Sequence, residues 1–306
     1  MSTAATSVAE FHSLDLTKPW IDANPSWTLL PPCPTASANQ TLLISTKNNT
    51  VIVWDTSLGI TRYDLNTGTW GSRTPTPYSV NAHPGVQPVL QPGTDMIFAV
   101  TGLVDTVSAS LFAMLGYNFR TQLVTLVPMS QDPDAMPPHY FYASVWSTVR
   151  DSMLVYGGAL AMTTGLGDAV GWFHEFYPVN SVWTDLQPLM KDAGGVIGKG
   201  IGPGPRQGHC MVEAYNGTKI VVFGGYTGPA KNVTTGAIHL LDVATLTWTE
   251  GKSANTSLQR GSMACACSGD SFVAWGGKKF NIPPPIIFRY FRAIVDLLYL
   301  KEELQI

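Results

Sequence analysis

A short apolar run that ends in paired glycines recurs along this 306-residue chain and narrows the choice of folds more than any other feature. Four to six residues rich in Val, Ile and aromatics are typical of a buried strand. The glycines supply backbone conformations and a close approach that a Cβ would prevent. The clear copies end at Gly157-Gly158, Gly224-Gly225 and Gly276-Gly277, and weaker copies span 97–102 and 51–54.

A second motif lies downstream of the apolar run in the pattern Asp-x-x-Thr-x-x-Trp. It is found from Asp64 to Trp70 and, with identical spacing, from Asp242 to Trp248; a degenerate copy ends at Trp183. The Asp and Thr can bond nearby amides in a hairpin turn, and the Trp can fill the space between neighbouring sheets. The copies recur at intervals of about 50 to 65 residues, a period typical of the larger propeller repeats.

The composition agrees with many short strands joined by turns. Gly and Pro number 29 and 22, and only 13% of the residues are charged. These values favour an all-β fold. Each repeat unit predicts a small four-stranded antiparallel sheet whose faces need neighbours, and radial packing of such sheets gives a β-propeller.

These motifs resemble the kelch repeat of the galactose oxidase/kelch superfamily, in which a double glycine is followed by a turn and a Trp. The stretch from Pro205-Arg206 to His209 is similar to the opening of such a repeat. The resemblance covers residues 10–279 and is strongest over 136–277. More narrowly, the repeat order is similar to that of uncharacterised fungal kelch ectodomains. It implies a kelch-type propeller over 10–279, followed by an atypical tail over 280–306.

The repeat is incomplete at both ends. The first unit shows only a second pair of strands, and the last unit shows only a first pair. One interpretation is a five-bladed ring in which the two pairs form one composite sheet and satisfy the open edges. The other, which we favour, is a six-bladed propeller that lacks half a blade at each end. The tail is predicted to be helical because one helical face would carry Ile287, Phe291, Ile294 and Leu298.

No catalytic, cofactor-binding or metal-binding residue is predicted. The six histidines lack the spacing of metal ligands, and no Cys/His cluster is present. His139 and His209 are expected to be structural, with His209 hydrogen-bonded. The copper ligands of a galactose oxidase-like enzyme have no visible counterpart in the sequence. The glycine-rich stretch 194–202 lacks the strand-to-helix context and the Lys-Ser/Thr ending of a phosphate-binding loop.

Other polar and aromatic residues leave alternatives open. Arg206 and Arg260 precede successive glycine-pair strands and could bind an anion at one rim, although a structural salt bridge is the usual outcome. Glu175, Asp185 and Glu213 have no visible acid/base partner. Five aromatic residues could stack on sugars, but packing between blades is favoured. They are Trp54, Trp146, Trp172, Phe173 and Trp275.

The sequence therefore favours a non-enzymatic interaction module that binds a protein or a glycan through its blade loops, about 102–115, 159–174 and 225–238. The alternatives are a galactose oxidase-like copper enzyme and a cytosolic kelch adaptor. A net charge of −3 argues against electrostatic binding of nucleic acid.

Location is predicted to be extracellular or at the cell surface, with the cytoplasm as the alternative. Five Asn-x-Ser/Thr sequons support the first choice, although residues 1–10 do not resemble a signal peptide and no membrane span is predicted. The four cysteines favour buried thiols, with one or two disulfides open for a secreted chain. The sequons begin at Asn39, Asn48, Asn216, Asn232 and Asn255.

Overall fold

The computed structural model describes residues 10–15, 27–35, 40–55, 59–75, 86–101, 113–128, 139–162, 165–198, 201–228, 233–268, 271–278 and 298–299. These residues form strands, turns and two single-turn 3-10 helices, Gln187–Leu189 and Thr256–Leu258, and they include no α-helix. The all-β prediction is confirmed.

The first half of the chain forms a hairpin and two four-stranded antiparallel sheets. The N-terminal hairpin consists of β1 (Phe11–Leu14) and β2 (Trp27–Leu30). Sheet I contains β3 (Gln40–Ser45), β4 (Thr50–Asp55), β5 (Gly59–Asp64) and β6 (Thr69–Trp70). Sheet II contains β7 (Val89–Leu90), β8 (Met96–Thr101), β9 (Ala113–Asn118) and β10 (Leu123–Pro128).

The second half repeats this plan and adds small accessory sheets. A three-stranded accessory sheet contains β11 (His139–Tyr140), β14 (Ala159–Met162) and β15 (Gly165–Ala169). Sheet III contains β12 (Ala143–Ser147), β13 (Ser152–Tyr156), β16 (Phe173–Tyr177) and β17 (Val182–Asp185). Sheet IV contains β18 (Cys210–Ala214), β19 (Lys219–Phe223), β22 (Ile238–Asp242) and β23 (Thr247–Glu250), with an accessory pair β20 (Tyr226–Thr227) and β21 (Val233–Thr234). Sheet V contains β24 (Gly261–Ser268), β25 (Ser271–Lys278) and β26 (Leu298–Tyr299).

The sheets are arranged radially. Each is a meander of adjacent antiparallel strands, and the first strands of successive sheets contact each other in the order β3, β7, β12, β18 and β24. The predicted arrangement of four-stranded sheets in a β-propeller is confirmed.

Inner strands such as β13 carry an unbroken apolar run because both faces of their sheet are buried. In β13, Met153 and Val155 join the core shared with sheet II, whereas Leu154 and Tyr156 join the core shared with sheet IV. All five residues of β13 are buried. Because each sheet lies between two neighbours, alternation of apolar and polar residues is lost and an unbroken apolar run remains.

The Asp-x-x-Thr-x-x-Trp motif works as the sequence predicts. Asp64 Oδ1 accepts hydrogen bonds from the amides of Asn66 and Thr67, at 2.8 and 3.0 Å. Asp242 Oδ1 accepts from the Thr245 amide at 2.9 Å. The Trp that ends the motif packs against the preceding sheet: the Trp248 ring lies 5.9 Å from the Phe173 ring.

Two of the glycine pairs join sheet III to sheet IV and sheet IV to sheet V. Gly224 and Gly225 have φ values of 67° and 99°, and the Gly225 amide donates to the Arg260 carbonyl at 2.9 Å. A Cβ on Gly224 would lie 2.6 Å from that carbonyl oxygen. Gly158 bonds the Arg206 carbonyl at 2.8 Å in the same way. The motif is therefore required both for its left-handed backbone and for the close approach of neighbouring sheets.

Substitution of Gly224 by alanine is expected to lower the free energy of unfolding by about 3 kcal/mol, because the left-handed conformation and the backbone contact both disfavour a Cβ. Gly93 is the matched control, since its φ is 70° but nothing lies within 4 Å of its Cβ position. Gly93→Ala should cost only about 1 kcal/mol. Urea denaturation measures both, and equal losses would contradict the steric role of the pair.

The described residues do not form the composite sheet. Among the described residues, β1 and β2 pair only with each other, while β25 pairs with β24 on one edge and with β26 on the other. Leu298 therefore belongs to a strand, and its predicted place in a helix is wrong. The other predicted helical positions, Ile287, Phe291 and Ile294, lie outside the described residues.

Candidate functional site

The two ends of the strands differ in the connections they carry. At one end, which we call the turn side, four-residue turns join the first strand to the second and the third to the fourth, as at 148–151 and 178–181. The opposite end, the loop side, carries the connection from the second strand to the third, which includes the accessory sheets in sheets III and IV. In sheets III and IV, the loop side therefore carries the longer connections, which is where binding residues are commonly found.

Arg206 reinforces the loop side from within. It is 3% exposed and donates through Nη1 to the Gly224 carbonyl at 3.0 Å, with further bonds to the carbonyls of Pro203 and Gly204. Arg260 bonds the Gly276 carbonyl in the same way, at 3.1 Å. Arg206 forms no ion pair within the described part of the chain. Both arginines are buried supports for the glycine pairs, and the predicted anion-binding rim is not formed by them.

His209 is packed rather than hydrogen-bonded. Its side chain is 1% exposed and meets the Tyr156 ring edge-on at 5.5 Å. Neither ring nitrogen has a hydrogen-bond partner among the described residues, so the predicted hydrogen bond is wrong. Burial, together with the nearby charge of Arg206, holds the pKa of His209 well below its usual range.

A chain of backbone bonds shows which residues are equivalent between repeats. The Gly208 amide donates to the Phe141 carbonyl at 2.9 Å, and the Ser262 amide donates to the Gly208 carbonyl at 2.7 Å. All three residues have φ between 55° and 57°. The residue that corresponds to His209 is therefore Tyr142 rather than His139.

Stability is expected to fall as the pH is lowered from about 6.5 to 4.5. Burial lowers the pKa of His239 to about 4 and that of His209 well below 6.5, so the unfolded chain binds protons that the folded chain rejects. The stabilisation is complete above the unfolded pKa and is lost as the pH falls, by about 2 kcal/mol. Urea denaturation at several pH values measures it. His209→Met, which copies the equivalent Met263, should make the profile about half as steep, because His239 remains. An unchanged slope would contradict the assignment to His209.

An open cavity of about 470 Å³ lies on the loop side between sheets III and IV. It is bordered by the edge strand β15, by the segment leading into β18 and by the turn after β20. Asp168 is the charged residue of the lining, and it is exposed. The lining residues are Asp168, Ala169, Pro203, Gly204, Pro205, Thr227 and Gly228.

The wall of this cavity is held in place by buried side chains. The Tyr156 hydroxyl donates to the Gly204 carbonyl at 3.0 Å, and Arg206 bonds carbonyls of the same segment. The Arg206 amide donates to the Val170 carbonyl at 3.2 Å, which fixes the wall to the end of the accessory sheet. Sequence reasoning singled out Arg206 and the 159–174 loop but did not bring them to one cavity, because they lie in different repeats.

Among the described residues, no three His, Cys, Asp or Glu side chains lie close enough together to hold a metal ion. His174 and His209 are buried, His12 lies beside Glu10 at the surface, and His239 is half-buried. His83 lies outside the described residues. The structure describes the backbone of His139 but not its side chain.

The carboxylates that appeared isolated in the sequence have partners in space. Glu175 is fully buried and accepts two bonds from Arg150, both at 2.6 Å. Glu213 accepts from the amide and hydroxyl of Thr148, both at 2.7 Å, and so ties sheet IV to sheet III. These pairs are structural, and they lie on the turn side, away from the cavity.

The glycine-rich stretch belongs to the connection between sheets III and IV. Asp192 Oδ1 accepts from the amides of Gly194 and Val196, at 2.9 and 2.8 Å, and closes a tight turn. Gly202 lies against Trp248, where a Cβ would be 2.9 Å from Nε1. The described part of this stretch is therefore a structural connection between two neighbouring sheets.

Most of the aromatic candidates for sugar stacking are in the core. Trp54, Trp146 and Phe173 are buried, which supports packing between blades. Trp172 and Trp275 are half-buried. None of the five lines the cavity.

The sequons differ in accessibility. Asn216 and Asn255 are exposed, in the turn before β19 and before the second 3-10 helix. The Asn48 side-chain amide donates to Asp95 at 2.7 Å and to Ser45 at 3.3 Å, so its nitrogen is engaged between sheets I and II. Asn39 and Asn232 lie outside the described residues.

Two of the four cysteines form a disulfide. Cys210 at the start of β18 is bonded to Cys265 in β24, with a Cα–Cα distance of 6.2 Å. Cys33 and Cys267 are free thiols, and burial raises the pKa of Cys267 to about 12. The favoured prediction of four buried thiols is therefore wrong for Cys210 and Cys265.

Comparison with known proteins yields no matching family model and no matching curated protein. Among solved structures, the chain is similar to one described as "Structure of YjhT", with a TM-score of 0.59 over 89% of this chain and 85% of that one. This chain has the β-propeller fold. The two sequences are only 14% identical, so the likeness shows the fold alone, and membership of the kelch family remains a prediction. Within the described residues, no helix is long and apolar enough to cross a membrane.

Proposed function

We propose that this β-propeller is a non-enzymatic binding module whose loop-side cavity takes an extended polypeptide segment of a protein ligand. The observation that carries the proposal is the position of β15 beside the cavity. Among the described residues β15 pairs only with β14, so its second edge presents backbone groups at the cavity. An extended peptide can add to such an edge as a further strand.

The lining suits a peptide in its chemistry and its rigidity. Pro203 and Pro205 give fixed apolar walls, and Thr227 and Asp168 offer a hydroxyl and a carboxylate. The bonds from Tyr156 and Arg206 order the wall before any ligand arrives, which lowers the entropic cost of binding. Asp168 favours a ligand with a Lys or Arg near the bound segment.

A random peptide library displayed on phage and a printed glycan array test this proposal. Peptides with an extended apolar segment and a basic residue are expected to bind, and Asp168→Asn should weaken them about fivefold, the effect of about 1 kcal/mol. Asp151→Asn is the matched control, since Asp151 is also exposed but lies on the turn side. Glycan binding without peptide binding would show that the ligand is a sugar and would contradict the peptide proposal. Stoichiometric copper with turnover of a sugar alcohol would overturn the non-enzymatic assignment.

We further propose that the protein works outside the cytosol, at the cell surface or in the secreted state. The disulfide between β18 and β24 supports this location because such bonds persist in oxidising compartments. The exposed sequons at Asn216 and Asn255 agree with it. Glycosidase treatment of natively expressed protein should increase its mobility. Asn216→Gln and Asn255→Gln should each remove the mobility shift of one glycan, and Asn48→Gln should remove none. Native protein without glycans and with Cys210 and Cys265 reduced would contradict this location.

A further inference from the structure

The floor of the loop-side cavity, formed by Pro203, Gly204 and Pro205, is backbone whose polar groups are largely engaged. Neither proline has an amide hydrogen. The Pro203 carbonyl accepts from Arg206, and the Gly204 carbonyl accepts from Arg206 at 3.4 Å and from the Tyr156 hydroxyl at 3.0 Å. Two of the three carbonyls are therefore occupied, and only Gly204 carries an amide hydrogen. The floor presents an apolar surface although it is made of backbone.

The glycine at position 204 leaves room above this floor. Its φ is 73°, and no described atom lies within 4 Å of the position that a Cβ would occupy. Gly228, which also lines the cavity, has a φ of 81° and the same open space. The paired glycines differ, because a Cβ on Gly157 or Gly225 would lie 2.6 or 2.8 Å from a neighbouring atom. The two cavity glycines therefore leave space that a ligand can approach closely.

The floor is supported from behind, so this space exists before a ligand arrives. A Cβ on Gly171 would lie 3.3 Å from the Pro205 nitrogen and 3.4 Å from the Gly204 carbonyl carbon, so the chain at 171 packs directly against the floor. Arg206, which bonds the floor carbonyls, is only 3% exposed. A surface that is already ordered binds a ligand without an entropic cost for its own ordering.

The rim of the cavity carries a negative charge at an irregular point of β15. The β14–β15 register pairs Ala159 with Ala169 but Ala161 with Leu166, so two steps along β14 match three along β15. The additional residue forms a β-bulge beside Asp168, and such bulges re-aim side chains. Asp168 is exposed and lines the cavity. Its carboxylate favours a cation next to whatever occupies the floor.

We propose that the floor binds a Trp, Tyr or Phe side chain of the extended ligand, with a Lys or Arg within two residues of it at Asp168. This inference rests on the proposed peptide-binding function and names the side chain that fixes the ligand in the cavity. A flat ring can lie on the two proline rings and on the Gly204 Cα without a polar partner. A sugar ring brings hydroxyl groups that this floor cannot satisfy. Since an extended chain rises about 3.3 Å per residue, the neighbouring basic side chain stays within reach of the rim.

Fluorescence anisotropy with two labelled short peptides tests the aromatic site. Both peptides carry a Lys beside a central position, which is Trp in one and Ala in the other. Wild-type protein is expected to bind the Trp peptide about tenfold more tightly. Gly204→Leu should reduce this ratio to about one, because its side chain would fill the space above the floor. Gly93→Leu is the matched control, since Gly93 has a φ of 70° and open space but lies outside the cavity, and it should keep the full ratio.

Urea denaturation should confirm that both variants fold, and Gly204→Asn is the second variant because Asn tolerates a left-handed backbone. It should also lower the ratio, though less than Gly204→Leu. Equal binding of the two peptides to wild-type protein, or an unchanged ratio in the folded Gly204 variants, would overturn the aromatic site and leave the peptide-binding proposal standing.

Saturation-transfer NMR with N-acetyltryptophanamide separates the aromatic site from strand addition, because this probe has the side chain but cannot add as a strand. Wild-type protein should give a signal, and Gly204→Leu should give a much weaker one. If neither peptide binds but this difference is observed, the aromatic site holds and the proposed function fails. Absence of binding by both peptides and by the probe would overturn both.

Discussion

Replacing Arg150 by methionine is expected to lower the free energy of unfolding by about 3 to 5 kcal/mol. Arg150 donates two bonds of 2.6 Å to Glu175, one of 3.2 Å to the Tyr177 hydroxyl and one of 3.4 Å to the Val243 carbonyl. Glu175 is fully buried and also accepts from Ser152 at 2.5 Å. Removal of the guanidinium leaves a buried carboxylate without its counter-charge, which is far costlier than loss of a surface pair.

Chemical denaturation of Arg150→Met at pH 7.5 and at pH 4.5 measures this effect and its cause. Protonation neutralises an unpaired buried carboxylate, so the loss should be smaller at the lower pH once wild-type protein is compared at the same pH. Lys219→Met is the matched control because the Lys219–Asp242 pair, at 2.9 Å, is 31% exposed on both sides. It should cost no more than about 1 kcal/mol. Equal losses for the two variants would show that burial does not govern the Arg150–Glu175 pair.

Loss of the disulfide is expected to destabilise the protein by about 4 kcal/mol, since the bond closes a loop of more than fifty residues in the unfolded chain. Cys210 and Cys265 are 55 residues apart in sequence and join the first strands of sheets IV and V. Within the described part of the chain, sheet V shares a core with sheet IV on one face, so we expect it to depend on this bond more than an internal sheet would. The last sheet is therefore expected to open first.

The double variant Cys210→Ala/Cys265→Ala, with wild-type protein in a strong reductant, measures the disulfide. Both should lose the same stability, and the reductant should leave the double variant unchanged. Cys267→Ala is the control, because Cys267 is a partly buried free thiol two residues from Cys265. Its expected loss is about 1 kcal/mol. Limited proteolysis of the reduced protein should cut first within sheet V, and cutting elsewhere would contradict the proposed order of opening.

Local motifs were predictable because their interactions are local. Asp64 and Asp242 bond amides two or three residues away, and the paired glycines need left-handed φ values that few other residues adopt. The buried partners were not predictable in this way. Arg150 lies in the turn between β12 and β13 and Glu175 lies in β16, and the register of β13 against β16, which pairs Leu154 with Glu175, brings them together.

The disulfide shows the same limit. The alternation of side chains in a strand places Cys265 and Cys267 on one face of β24, as the sequence indicates. Which of them meets Cys210 depends on the offset between two separate sheets. No local rule sets that offset, because it follows from how the intervening side chains pack.

The sequence alone determined the repeat, its turns, its strands and the propeller class, because strand formation and turn chemistry depend on neighbours within a few residues. The tertiary structure decided which sheets share a core, that β26 completes sheet V, and that Leu42 and Ile44 remain exposed. It also placed β15 beside Pro203 and Pro205, which created the cavity. These features join residues from different repeats, and their positions are set by packing between sheets.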